Sequence, residues 1–97
     1  MMMKEEGKLV IWPAYLDKER TRAEGRIISK KSAVSQPTLD EITKAAQKLG
    51  LTPVVQEDKS YPASWWEKSG RILIENSQPK NAYVRQIAAE IKKIRGN

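Results

Sequence analysis

The sequence predicts an α+β fold in one domain, ordered strand–helix–strand–strand–helix, with a three-stranded antiparallel-type sheet and two helices on one face. Three observations carry that expectation. Short apolar runs bounded by proline, glycine or polar residues occur three times, at Lys8–Trp12, Thr52–Glu57 and Arg71–Asn76. Two longer stretches repeat their apolar residues at helical spacing, one near the middle and one at the end of the chain. The chain has 97 residues, enough for one modest core and too few for two.

Each element has its own local reason. "KLVIW" is a short apolar strand stopped by Pro13. In "QPTLDEITKAAQKLGL", Thr38 followed three residues later by Glu41 matches a capping box. Leu39, Ile42, Ala46 and Leu49 then share one helical face, and Gly50 stands just past the end. "TPVVQE" is a second strand with Pro53 near its start. "RILIEN" alternates, with Ile72 and Ile74 on one side and Arg71, Leu73 and Glu75 on the other. After "SQP", the closing helix puts Val84, Ile87, Ala88, Ile91 and Ile94 on one face. Lys92, Lys93 and Arg95 lie near its C-terminal end, where positive charge suits the helix dipole. A right-handed crossover sets the first two strands parallel with a gap between them, and the third strand fits that gap antiparallel to both. Residues 1–97 form the single domain, with residues 1–7 expected to be a disordered tail.

Composition narrows the function. Lysine and arginine number 18 against 12 acids, giving a net charge of +6, and cysteine and histidine are both absent. No thiol nucleophile, imidazole base or thiolate or imidazole metal site is available. Asp17, Asp40 and Asp58 are scattered and read as ordinary surface acids, so the expectation is a non-enzyme without cofactor or metal. No run approaches a membrane span, and "MMMKEEGK" lacks the apolar middle of a signal peptide. A basic excess of this size makes nucleic acid the first partner to consider. A basic module for an acidic protein or an anionic membrane surface is the alternative, although no amphipathic basic helix with a large apolar face is present.

Two segments stand outside the periodic elements. "YLDKERTRAEGRIISKK", Tyr15 to Lys31, carries six cations against three carboxylates. "DKSYPASWWEKSG", Asp58 to Gly70, is rich in aromatics. The proposed topology brings both out at the same edge of the sheet. Known nucleic-acid folds fit poorly. "RILIEN" lacks the aromatics of an RRM platform, no two glycines have KH spacing, and a helix-turn-helix is poorly supported with two strands between the helices. The binding surface is therefore expected in the two irregular segments. Arginines in a segment with no helix to stabilise favour recognition of phosphates and base edges, and Gly25 would let backbone pass close to a phosphate.

"IWPAYLDKERTRAEGRIISKKSAV", then "EI…A…LGL", then "DKSYPASWWE…GRILIE" resemble the 19-kilodalton protein family of the signal recognition particle, from about Lys8 to Arg95. The compact ending is similar to the archaeal branch. The resemblance implies a cytoplasmic, non-enzymatic, monomeric RNA-binding protein without membrane insertion. It would grip the tips of helices 6 and 8 of the particle's RNA and so order that RNA for the GTPase subunit that binds signal sequences. Carried over by motif, RNA contact falls on Tyr15, Lys18, Arg20, Arg22, Gly25, Arg26, Lys30 and Lys31 in the first loop, and on Lys59 and Tyr61 in the second. Ser29 stands where eukaryotic relatives often have proline, and Ala63 where some relatives have a basic residue.

Plainer readings stand beside these. Tyr15 could pack over the sheet edge instead. Trp12 reads as core. Of Trp65 and Trp66, one is expected as a core plug under the loop and the other half exposed. Lys44, Lys48, Lys92, Lys93 and Arg95 read as solvated helix cations.

Overall fold

The computed structural model describes residues 7–96. Strand β1 is Lys8–Ile11, helix α1 Leu39–Lys48, strand β2 Val54–Gln56, strand β3 Arg71–Glu75 and helix α2 Lys80–Ile94. The sheet order is β1-β3-β2, and both pairings are antiparallel. The third strand thus fills the gap left by the crossover, as expected. Ile11 lies opposite Ile72 and Leu9 opposite Ile74 in β1–β3, while Val54 lies opposite Leu73 in β2–β3. The strands are shorter than expected. β1 ends before Trp12, because Pro13 opens a 3₁₀ turn at Pro13–Leu16; the proline ring fixes φ and removes a ladder donor. The tail expected at residues 1–7 lies outside the described residues except for Gly7, whose carbonyl accepts from the Asn76 N–H at 3.0 Å.

One core joins both helices to one face of the sheet. Ile11, Ile72 and Ile74 pack with Ile42, Ala45 and Ala46 of α1 and with Tyr83, Val84, Ile87, Ala88 and Ile91 of α2. Thr38 and Glu41 close the capping box: the Thr38 hydroxyl accepts from the Glu41 N–H at 3.1 Å, and Glu41 Oε1 accepts from the Thr38 N–H at 3.1 Å. Gly50 follows α1 at φ +84°, a conformation open to glycine at little cost. Two expectations for α2 need correction. Ile94 is 40% exposed, beside Lys44, Gln47 and Lys48 on the outer side of α1, and Tyr83 takes a core position instead. Arg95 is not a solvated dipole partner: its guanidinium pairs with Glu41 at 2.8 Å, joining the end of α2 to the start of α1. The same pairing holds the Glu41 carboxyl down to about 2, with the capping N–H of Thr38 adding to the effect.

Among the described residues, neither α1 nor α2 covers the other face of the sheet. Leu73 is only 4% exposed there, with Val10 and Val54 opposite it on the two flanking strands. Trp12 continues this face at 7% exposure, and the Arg71 guanidinium lies over its ring, 5.3 Å from the centroid. The reading of Trp12 as a packed residue therefore holds.

Candidate nucleic-acid interface

The basic segment is loop-like only in lacking a long element. It folds into a lobe with its own anchors. Leu16, Ile28, Ala33 and Val34 are buried in the main core. The Lys18 N–H donates to the Val34 carbonyl at 2.7 Å and the Val34 N–H to the Leu16 carbonyl at 3.0 Å, a single parallel bridge that ties the start of the lobe to its end. Across the middle, the Ile27 N–H reaches the Tyr15 carbonyl at 3.0 Å. A 3₁₀ turn at Arg22–Glu24 is closed by a second capping box, in which the Thr21 hydroxyl accepts from the Glu24 N–H and Glu24 Oε1 accepts from the Thr21 N–H.

The three acids of the lobe serve this architecture. Asp17 Oδ1 accepts from the Glu19 and Gln36 N–H groups at 2.9 and 3.2 Å. Glu19 accepts from the Ser35 hydroxyl. Hydrogen bonds from the Thr21 backbone and hydroxyl lower the pKa of Glu24, with Arg20 adding a smaller pull. The carboxylates are turned toward backbone and hydroxyl donors, and most of the cations face outward.

The cations divide into two sets. Lys18, Lys30, Lys31 and Lys59 are exposed, and their ammonium groups have no partner among the described residues. Arg22 is exposed with one long contact, 3.5 Å, to the Ile27 carbonyl. Arg20 and Arg26 are spent inside the protein. Arg26 donates to the Arg20 and Ile28 carbonyls at 2.8 and 2.6 Å, bracing the lobe from within. Arg20 reaches across to the aromatic segment, donating to Glu67 at 2.6 Å and to the Ser64 hydroxyl at 3.3 Å, with Asp17 at 3.7 Å on its other side.

The two segments do emerge together, and aromatic packing completes the joint. The Tyr61 ring meets Trp12 edge-on at 5.4 Å and Tyr15 at 6.1 Å. Gly25 backs onto Tyr61. At φ +121°, a Cβ there would lie 2.8 Å from the Tyr61 hydroxyl. The close approach that requires glycine at position 25 is thus made by Tyr61. Tyr15 is half-buried between both readings offered for it, edge-on to Tyr61 and with Lys80 of α2 over its ring at 4.8 Å.

Three features were not read from the sequence. Lys80 joins the interface from the first turn of α2, and only its position after Pro79 could have hinted at it. Lys92 donates from α2 to the Lys31 carbonyl at 2.8 Å, so it is tied to the lobe and not simply solvated. Trp65 and Trp66 are 71% and 66% exposed, which overturns the expectation that one of them plugs the core. The short turn at Pro62–Ser64 buries Ser64 beneath Arg20 instead.

The family model for SRP19 protein matches residues 10–94. The chain belongs to the SRP19 family. Its signal recognition particle 19 kDa relative from Methanococcoides burtonii is 57% identical over 94 residues, covering 97% of this chain and 99% of the relative. The relative from Methanosarcina mazei is 54% identical over 94 residues, covering 97% and 93%. Among solved structures, an SRP19 in complex with the S domain of signal recognition particle RNA is 40% identical, with a TM-score of 0.84 over 87% of this chain and 97% of that one. The SRP19 fold is therefore the sheet, helices and paired irregular segments described above.

Proposed function

We propose that this chain is an RNA-binding assembly subunit of the signal recognition particle, cytoplasmic and non-catalytic. It holds the tips of RNA helices 6 and 8 through its two loops and thereby favours binding of the GTPase subunit to the same RNA. The observation that supports this reading most strongly is the joint between the loops. Arg20, Ser64, Glu67, Gly25 and Tyr61 hold the basic lobe and the aromatic segment as one surface, and a relative 40% identical was solved with the S-domain RNA. A rigid two-part surface can engage two helix tips with little ordering cost. Lys18, Arg22, Lys30, Lys31 and Lys59 are assigned to phosphates, as exposed cations of the two segments, while Asp17, Glu19 and Glu24 are engaged by backbone and hydroxyl donors. Tyr15 and Tyr61 are assigned to the rim of the RNA contact. Arg20, Gly25 and Arg26 keep their place in the site by setting the shape of the loops. The alternative partner, an acidic protein or an anionic membrane, has only the overall charge behind it.

The test is binding to an archaeal S-domain RNA across a range of potassium chloride concentrations. Affinity should fall steeply with salt, because each neutralised phosphate releases counterions. Lys30→Ala should lower affinity and reduce the log–log slope by about one. Absence of binding by the wild-type chain would overturn the reading, and an unchanged slope in the variant would remove Lys30 from the phosphate set.

A further inference from the structure

Trp65 and Trp66 are the largest apolar side chains left exposed among the described residues. Tryptophan is on average one of the more buried residues, and an adjacent exposed pair marks a contact surface. The two indoles stand at 82° to each other with centroids 5.9 Å apart. They form a corner, not a flat platform. A flat ring entering that corner would stack on one indole and meet the other at its edge.

The surroundings say what kind of ring it is. Trp66 is one wall of a cleft of about 400 Å³ between the two loops, whose charged lining is Arg20 with Asp17, Glu19, Glu24 and Glu67. Four carboxylates and one guanidinium repel a phosphate. Glu19, Glu24 and Glu67 each commit one carboxylate oxygen to the hydrogen bonds of the loops, so the other can accept from an amino or imino N–H. A neighbouring cleft that shares Glu19 and Arg20 is lined by Lys18 and Lys30, exposed cations that suit a sugar–phosphate chain passing over it.

Resting on the RNA-binding reading above, we infer that the Trp65–Trp66 corner stacks on one unpaired base of the bound RNA. The donor edge of that base is turned toward the carboxylates of the cleft. The phosphates lie on Lys18 and Lys30 of the neighbouring cleft. A base with an exocyclic amino group fits this arrangement, and uracil, which has none, fits it less well. Stacking on exposed aromatic side chains is a general means of holding unpaired bases.

The test uses the full chain and an archaeal S-domain RNA. Binding is followed by filter retention and by tryptophan emission, with acrylamide as a neutral collisional quencher. The RNA should quench emission and shield the exposed indoles from acrylamide. Trp65→Ala/Trp66→Ala should bind about 5- to 100-fold more weakly, with an unchanged salt slope, because no phosphate contact is removed. Its thermal midpoint should match the wild type, since neither indole packs in the core. Three results would overturn the inference: equal affinity of variant and wild type, full acrylamide access in the complex, or a reduced salt slope in the variant. Full access with tight binding would mean that the RNA is held elsewhere on the surface. If the wild-type chain fails to bind the RNA at all, the RNA-binding reading falls; if it binds and the variant matches it, only the stacking site falls.

Discussion

Gly25→Ala tests the joint between the two loops. Gly25 sits at φ +121°, where an L-residue is strained by about 1–3 kcal/mol. Its added Cβ would lie 2.8 Å from the Tyr61 hydroxyl and 3.1 Å from two ring carbons. Tyr61 has little room to yield, because Trp12 and Tyr15 hold its ring on other sides. Overpacking of this kind costs about 1–3 kcal/mol. The full loss is then about 2–6 kcal/mol, a large share of the about 5–15 kcal/mol that stabilises a small domain. Urea unfolding of wild type, Gly25→Ala, Tyr61→Ala and the double variant separates the two contributions. In the Tyr61→Ala background the glycine substitution should cost only the backbone share, so a coupling of about 1–3 kcal/mol is expected. A Gly25→Ala cost below about 0.5 kcal/mol would refute the backbone argument. An equal cost in both backgrounds would refute the contact with Tyr61.

Further predictions concern neighbouring residues. Arg20→Ala should weaken binding to S-domain RNA by loosening the aromatic segment and unpairing Glu67, yet leave the salt slope as in the wild type; a slope reduced by about one would mean that Arg20 meets a phosphate after all. Glu41 has its pKa lowered on folding, so the stability it adds is fully present above about 4.5 and is lost as pH falls through about 2. After allowing for partial exposure this is about 1–2 kcal/mol, so the urea midpoints of wild type and Glu41→Gln should differ at pH 6 and converge near pH 2; a pH-independent difference would contradict the assignment. Leu73→Thr, on the helix-free face of the sheet, should cost about 1–3 kcal/mol of stability, while the folded variant keeps its RNA affinity. A large affinity loss with unchanged circular dichroism would move the binding surface onto the sheet.

The fold was legible because its signals are local. Thr38 and Glu41 are three residues apart, Gly50 ends its own helix, and the alternation in "RILIE" needs no partner to be seen. The crossover rule then left one natural place for β3. The site was legible only in outline. That the two irregular segments emerge together followed from topology, but the division of labour among the arginines did not. Arg20 is fixed by Ser64 and Glu67, 44 and 47 residues away, and Arg26 by carbonyls whose direction depends on how the lobe closes. A sequence shows that an arginine is present and not which way it donates. Trp65 and Trp66 failed for a related reason: burial of a large aromatic is a sound prior in a small core, but isoleucines and alanines from both helices already fill this one. Ile94 missed the core because it lines an open groove with Lys44, Gln47 and Lys48, long polar side chains of α1 that leave part of it to solvent.

The claim that the paired loops clamp two RNA helix tips is tested most directly by energy transfer between dyes on the tips of helices 6 and 8 in an archaeal S-domain RNA, titrated with this protein. Once one tip is held, the second engages at high effective concentration. Transfer should therefore rise in step with binding, and Arg20→Ala, which unlocks the two loops from each other, should separate binding from the rise. Tight binding by the wild-type protein with the dyes remaining apart would contradict the account.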